Sequence, residues 1–128
     1  YDAGEQLVAL WGTGINAAGI GSARSSAALI EQCQLLVGLD TGTTHLAAAV
    51  GTRCVALYSS REHPGRWEPL GHGHVIIRKD QDVPCAGCML LNCPKPTCLC
   101  MDAITVEEVI DQVRRALYQL RVQDAEHR

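Results

Sequence analysis

The chain has 128 residues, which suits one modest domain with its own hydrophobic core. Its formal charge is −3 and it contains no basic tract, so general affinity for nucleic acid is not expected. No apolar run reaches the roughly 18 residues that a membrane-spanning helix needs, and the first residues carry no signal-peptide pattern. We therefore expect neither a nucleic-acid partner nor a transmembrane segment.

The first residues predict the end of a helix. Apolar residues recur at helical spacing from Glu5 to Trp11, and Gly12 and Gly14 then stop the helix. The chain opens without Met and with this helix already in progress. We therefore expect it to be cut from a longer parent that has a strand upstream.

A short strand and a second helix are predicted next. Ile15 to Ala18 is the strand, and a glycine-containing loop follows it. Ser22 is the predicted N-cap of a helix that runs to Cys33. The apolar residues that this helix turns toward the sheet are Ala27, Leu29 and Ile30.

The stretch from Leu35 to Ala49 changes from strand to turn to helix. Leu35 to Leu39 is a short apolar run, which favours a parallel strand covered on both faces. The strand is expected to end at Asp40. Small residues then make a tight turn, and Thr43 or Thr44 is expected to cap the alanine-rich helix that follows.

This strand, turn and helix together predict an anion site. In open α/β sheets, ligands bind at the carboxyl ends of the strands, and free N–H groups at a helix start favour phosphate. His45 adds a donor in the first turn. An ordinary turn with a surface histidine is the alternative. An aspartic protease is excluded, because its Asp-Thr-Gly motif needs an all-β setting and a second carboxylate.

Two further strands and a terminal helix complete the pattern. Cys54 to Tyr58 is the next strand, and Val75 to Ile77 is predicted as an edge strand. Strands that alternate with helices over short links predict βαβ crossovers and a parallel sheet. A capping box at Thr105 starts the last helix, predicted over residues 105–120. Its apolar stripe consists of Val106, Val109, Ile110, Val113, Leu117 and Leu120.

A polar loop over residues 59–69 leaves the carboxyl end of the Cys54 strand, at the same edge as Asp40. The basic residues Arg61, His63 and Arg66 either meet an anionic ligand there or belong to a solvated loop. In the second case we expect Trp67 to be packed beneath the loop.

Four motifs recur that are typical of one family: Asp40-Thr41-Gly42, His45-Leu46-Ala47-Ala48-Ala49, Val55-Ala56-Leu57 and Arg66-Trp67-Glu68-Pro69. Together with Cys100-Met101 and the helix start at Thr105, they resemble glycosyltransferase family 9 over residues 15–120. The family includes the ADP-heptose:lipopolysaccharide heptosyltransferases.

The resemblance implies a GT-B enzyme with two Rossmann-like domains. Residues 1–128 then form part of the C-terminal domain, which binds the nucleotide sugar, with a Cys-rich loop at residues 84–101 and a C-terminal helix. The donor is expected to be ADP-heptose-like. The residues expected around the donor, and above all around its diphosphate, are Asp40, Thr41, Gly42, Thr43, Thr44 and His45.

Other roles implied by the resemblance lie outside this chain. A glycan or lipopolysaccharide-core acceptor and the catalytic base are expected on a missing N-terminal domain, so no catalytic residue is assigned here. Transfer is expected to need no cofactor. The implied location is the cytoplasm of a bacterium, or the periphery of its inner membrane. Asp80-Gln81-Asp82 resembles the Asp-x-Asp metal motif of the other main glycosyltransferase fold, but its position after an edge strand favours a solvated turn.

Five cysteines lie close together among prolines near the end of the chain: Cys85, Cys88, Cys93, Cys98 and Cys100. A Cys-x-x-Cys pair followed by further thiols suits a tetrahedral thiolate site for a structural zinc ion. His72 or His74 is a competing ligand. Disulfides formed on oxidation and free thiols are the alternatives.

Two further classes of function remain open from the sequence. One is a non-catalytic nucleotide-binding domain that keeps the fold without the activity. The other is a thiol–metal or redox module in which the α/β part is only a scaffold.

Overall fold

The computed structural model describes residues 2–126, in which five helices surround a three-stranded sheet. In chain order the elements are α1 (Asp2–Trp11), α2 (Ala23–Glu31), β1 (Leu36–Leu39), α3 (Gly42–Ala49), β2 (Cys54–Leu57), β3 (Val75–Ile77), α4 (Leu99–Asp102) and α5 (Val106–Glu126). This is a small α/β architecture of the kind expected for a Rossmann-like domain.

The three strands form a parallel sheet in the order β1-β2-β3, as predicted. Val37 pairs with Val55, and Val55 pairs in turn with Val75. β1 and β2 are joined through α3, which is the βαβ unit expected from the sequence. β2 and β3 are joined by the loop 58–74 instead of a helix, so the carboxyl edge of the sheet carries a long irregular connection.

One face of the sheet packs against α2 and α3. The buried residues there are Ile30, Ala47, Cys54, Ala56 and Tyr58. The hydroxyl of Thr52 donates a hydrogen bond to the carbonyl of Ile30 (2.9 Å), which fixes the end of α2 to the start of β2. Ser22 is the N-cap of α2, as predicted, and its hydroxyl accepts from the N–H of Ser25.

The other face packs against α5, over β2 and β3. Its fully buried residues are Val55, Ile77 and Ala116. Thr105 starts α5 as predicted, since its hydroxyl accepts a hydrogen bond from the N–H of Glu108 (3.2 Å). The prediction of the apolar stripe was wrong at Val106 and Ile110, which are exposed. The small side chain of Ala116 allows the closest approach to the sheet and sets which side of the helix faces inward.

The prediction that β1 is covered on both faces was also wrong. Leu36 packs against the core, but Val37 is 49% exposed and Leu39 is 52% exposed. Side chains alternate along a strand, and α5 lies over β2 and β3, so the α5 face of β1 is left open. Among the described residues, β1 is one edge of the sheet and β3, as predicted, is the other.

Two other local predictions failed in the first third of the chain. Ile15 to Ala18 forms no strand, and Ile15 is 91% exposed. Asn16 instead donates a side-chain hydrogen bond to Glu5 on α1 (2.9 Å), which holds this segment beside the helix and away from the sheet. α2 ends at Glu31, and Leu29 is exposed, because Ile30 is the residue that this helix turns into the core.

The end of α1 was predicted correctly. Gly12 has a φ of +70°, and its N–H donates to the carbonyl of Val8 (3.0 Å), which closes the helix as the sequence indicated. The last helix is longer than predicted and runs to Glu126. None of the helices among residues 2–126 is long and apolar enough to cross a membrane.

Candidate functional site

The start of α3 lies at the carboxyl end of β1. The sequence suggested Thr43 or Thr44 as the cap, but Thr41 occupies the N-cap position in an extended conformation (φ −143°). Its side chain makes no capping hydrogen bond. The first N–H groups of an α-helix have no acceptor within the helix, so those of Gly42 and Thr43 are open to a ligand.

Thr44 supports this helix start from inside. Its side chain is fully buried, and its hydroxyl donates to the carbonyl of Leu39 at 2.7 Å. Its N–H donates to the carbonyl of Thr41 (3.1 Å). Thr44 therefore joins β1 to the first turn of α3, and its polar groups are engaged within the protein.

An open cavity of about 290 Å³ lies at this edge of the sheet. Its lining combines the residue after β1 with residues of the loop after β2: Asp40, Ser59, Arg61, Glu62 and Trp67. We call it the rim cavity. The sequence predicted that the two strand ends would meet at one edge, and the structure brings Asp40 and Arg61 to the same cavity.

The other residues predicted around the donor take different positions. Thr41, Gly42 and Thr43 are exposed at the helix start, next to Asp40 in the chain. His45 lies partly buried in the first turn of α3 and is absent from the lining of the rim cavity. The predicted residues therefore fall into three groups. Residues 41–43 form the exposed helix start, Asp40 lines the rim cavity, and Thr44 and His45 are fully and partly buried in the first turn of α3.

A network of ion pairs shapes the loop beside the cavity. Glu62 accepts from Arg61 (3.2 Å) and from Arg66 (3.0 Å), and the Arg66 guanidinium also lies over the ring of Trp67. Arg78, immediately after β3, donates to the main-chain carbonyl of Glu62. Ion pairs thus hold the loop together, and Arg78 ties it to the end of β3.

Sequence reasoning missed Arg78 and the part that Glu62 plays. Arg78 is nearly buried and makes two hydrogen bonds to Asp80, at 3.0 and 3.1 Å. These bonds lower the pKa of the Asp80 carboxyl below its ordinary value. The interpretation of residues 80–82 as a solvated turn therefore holds for the exposed Asp82 but not for Asp80. The sequence did contain a signal for Arg78, because it is a basic residue directly after a parallel strand, where ligand sites commonly lie.

Tyr58, and not Trp67, is the aromatic residue packed beneath the loop. Trp67 is 49% exposed, whereas Tyr58 is buried and its hydroxyl donates to the carbonyl of Trp67 (2.8 Å). Burial, followed by the nearby carboxylates of Asp40 and Glu68, raises the pKa of Tyr58 to about 12. Tyr58 is therefore a neutral hydrogen-bond donor that holds the loop in place.

Comparison with known proteins decides the family. A sequence model of glycosyltransferase family 9 (heptosyltransferase) matches residues 9–96. The chain belongs to glycosyltransferase family 9. A search of curated proteins and a search of solved structures found no match to this chain. The family-9 match contains the whole sheet, the start of α3 and the rim cavity, and it ends inside the Cys-rich loop.

The cysteines of this family-9 domain are all free thiols. The five in the Cys-rich loop line one cavity, but among residues 2–126 no three side chains of His, Cys, Asp or Glu already converge on a common point. His74 is engaged elsewhere, since its Nδ1 accepts from the N–H of Cys54 and its Nε2 donates to the carbonyl of Leu70. His74 is thus removed from the predicted set of competing metal ligands.

Proposed function

We propose that this family-9 domain binds the nucleotide-sugar donor of a glycosyltransferase, with an ADP-heptose-like sugar as the donor. The proposal rests on one observation: the start of α3 and the rim cavity lie at the same edge of a parallel sheet. Membership of family 9 adds that the chemistry is glycosyl transfer between a sugar donor and an acceptor.

The diphosphate is expected on the N–H groups at the start of α3. These groups point away from the helix, and the helix dipole favours negative charge at this end. His45 supplies a further donor from the first turn. Arg61 contributes a guanidinium to the neighbouring cavity, where a planar fork of N–H groups suits phosphate oxygens.

Asp40 has a different role in this proposal. A carboxylate is an acceptor and repels a diphosphate, so Asp40 is expected to accept hydrogen bonds from hydroxyl groups of the donor sugar or ribose. Trp67 offers an exposed apolar surface in the same cavity. The two residues together suit a ligand that has both hydroxyl groups and carbon faces.

The reaction breaks the bond between the sugar and the diphosphate, so negative charge grows on the leaving diphosphate. The α3 N–H groups, His45 and Arg61 are placed to stabilise that charge without a cofactor. An acceptor hydroxyl attacks the sugar carbon. The base that takes the proton from this hydroxyl is proposed on a second domain of a GT-B parent. The site for the acceptor, a glycan or lipopolysaccharide core, is proposed on the same domain. The parent is proposed to act in the cytoplasm or at the inner membrane.

Calorimetric titration of the chain with ADP, UDP and GDP, beside adenosine, uridine and guanosine, tests the proposal. We expect weak binding of at least one diphosphate and none of its nucleoside, because the proposed contacts are to the diphosphate. ADP is expected to bind most tightly. Absence of binding by all three diphosphates and by ADP-sugars would favour a non-catalytic domain that only keeps the fold.

Substitution Arg61→Gln tests the rim cavity separately. A charge-assisted hydrogen bond contributes about 1.5–3 kcal/mol, so ADP affinity is expected to fall about 10–100-fold. Arg66→Gln is the matched control, because Arg66 pairs with the same Glu62 but does not line the cavity. Equal losses in the two variants would show that general charge, and not contact with Arg61, supports binding.

A further inference from the structure

A second cavity, of about 100 Å³, lies beside the rim cavity and is lined by five cysteines together with three leucines, Ser59 and Arg61. All five cysteines of the Cys-rich loop contribute to it: Cys85, Cys88, Cys93, Cys98 and Cys100. We propose that this thiol cavity binds a thiophilic metal ion, Zn²⁺ first of all, through four of these thiolates. None of these thiols lines the rim cavity, and the proposal does not depend on donor binding there.

The first pair of ligands already stands at the distance that zinc requires. The Sγ atoms of Cys98 and Cys100 lie 3.6 Å apart, without a bond between them. Two sulfurs of a tetrahedral zinc site, each about 2.3 Å from the ion, lie about 3.8 Å from one another. Cys98 is the N-cap residue of the short helix α4 and Cys100 lies in it, so the local backbone holds this spacing.

The second pair belongs to the Cys85-Ala86-Gly87-Cys88 turn. Two main-chain hydrogen bonds attach this turn to the loop after β2: Gly87 N–H donates to the carbonyl of Ser60 (2.7 Å), and Met89 N–H donates to that of Arg61 (3.0 Å). Gly87 adopts a φ of +72°, which a side chain would disfavour. The turn is therefore held at the mouth of the thiol cavity, with the Cys-x-x-Cys spacing common in zinc sites.

Cys93 is the thiol that we leave outside the ligand set. Its Sγ donates to the carbonyl of Thr97 within its own turn, at 3.8 Å. Tetrahedral zinc takes four ligands, so one of the five thiols is superfluous. The remaining set is a Cys-x-x-Cys pair and a Cys-x-Cys pair, and all four of its residues line the cavity.

The two pairs must still move together to enclose an ion, since no three of the described ligand groups yet converge. The loop between β3 and α4 contains only turns and bends, so this movement breaks no helix or strand. Metal sites of this kind are rarely preformed, and metal binding itself orders the loop. We therefore expect the loop to become ordered as the ion enters.

The thiol cavity also contains a hydrogen-bond donor that suits a metal–thiolate site. Arg61 also lines this cavity, and its buried Nε has no hydrogen-bond partner among the described residues. A zinc ion with four thiolates carries a net charge of −2, so an N–H donor from Arg61 is a suitable outer partner.

Titration of the fully reduced chain with Co²⁺ tests the proposal directly. We expect one equivalent to bind, with strong sulfur-to-cobalt charge-transfer absorption and visible bands of tetrahedral geometry, all abolished by one equivalent of Zn²⁺. This readout uses the unaltered protein, so it does not depend on whether a variant folds. Chain purified without chelator is expected to contain zinc by elemental analysis.

Single serine variants then identify the ligands. Loss of a group that hydrogen-bonds to a metal ligand typically costs about 10–100-fold in metal affinity, so loss of a ligand itself should cost at least as much. We expect Co²⁺ affinity to fall by at least about tenfold in Cys85→Ser, Cys88→Ser, Cys98→Ser and Cys100→Ser. Cys93→Ser, and Cys33→Ser outside the loop, are the controls and should retain both affinity and spectrum.

Two results would overturn the proposal. One is the absence of charge-transfer absorption when Co²⁺ is added to the reduced wild-type chain, combined with disulfides in the loop of protein prepared without reductant. Thiol counting under denaturing conditions detects these disulfides. The loop would then be a redox cross-link. The other is a loss of affinity in Cys93→Ser as large as that in Cys98→Ser, which would show that the assigned set of four is wrong.

Discussion

At the scale of single residues, each polar side chain near α3 has a distinct task. Thr44 gives its hydroxyl to the carbonyl of Leu39 and so cannot also bind a ligand through its side chain. Asp40 and Arg61 face the rim cavity, where a ligand can reach them. His45 lies in the first turn of α3 but does not line the rim cavity, so substitution is the direct test of its contribution to ligand binding.

We predict that His45→Ala weakens diphosphate binding by about 1–3 kcal/mol, the range for a hydrogen bond to a charged group, while the fold is retained. Calorimetry with ADP measures the change, and circular dichroism checks the fold. His72→Ala is the control, because His72 is exposed and lies away from the α3 start. Unchanged affinity in His45→Ala would remove this residue from the site.

A second residue-scale prediction concerns acid stability. Hydrogen bonds from Arg78 lower the pKa of Asp80, so the charged carboxylate stabilises the folded state. This contribution is present above the unfolded pKa of 3.8 and is lost as pH falls through the folded pKa. We expect Asp80→Asn to lower the free energy of unfolding by about 1 kcal/mol at neutral pH, with the difference disappearing as pH falls through the lowered pKa of Asp80.

Urea denaturation at several pH values measures this difference. Asp82→Asn is the matched control two residues away, because Asp82 is exposed and its ion pair with Lys79 is long, at 3.9 Å. A loss in Asp80→Asn that persists undiminished in acid would mean that the substitution acts by some route other than the ionised carboxylate.

At the scale of elements, much of the fold was predictable because local chemistry determines it. Gly12 ended α1, Ser22 capped α2 and Thr105 began α5, each through groups that lie within a few residues. The failures arose where distant neighbours decide. The apolar residues of β1 could not reveal that α5 lies over other strands, and nothing local distinguished Tyr58 from Trp67 as the buried ring.

The candidate site shows the same division. The strand-turn-helix pattern and the family motifs indicated the α3 start and the loop at residues 59–69. Arg78 was missed, and Asp80 was interpreted as part of a solvated turn, because both follow β3 and only the parallel pairing of β2 and β3 brings the loop after β2 beside them. The side-chain direction of Thr44 was likewise a matter of packing, which the residue type does not specify.

We predict that the cap at Thr105 contributes measurably to stability. Thr105→Ala removes the acceptor for the Glu108 N–H and is expected to lower the free energy of unfolding by about 0.5–2 kcal/mol. The loss should appear in thermal or urea unfolding. Thr13→Ala, at an exposed threonine near α1, is the control and should change stability little. Equal effects in the two variants would contradict a specific capping role.

At the scale of the whole molecule, the two cavities share a wall. Ser59 and Arg61 line both the rim cavity and the thiol cavity, and the main chain at Ser60 and Arg61 accepts hydrogen bonds from the Cys85–Cys88 turn. The Cys-rich loop therefore supports the loop that borders the proposed donor site. The proposed transfer, in which a hydroxyl attacks and a diphosphate leaves, does not require its thiols.

The central claim is that a nucleoside diphosphate binds at the start of α3, and amide NMR tests it most directly. Titration of isotope-labelled chain with ADP should shift the amide signals of residues 42–46, because the diphosphate accepts hydrogen bonds from, or lies close to, these N–H groups. Adenosine at the same concentrations should leave them unchanged. Equal shifts with ADP and adenosine, or ADP-induced shifts that avoid residues 42–46, would contradict the claim.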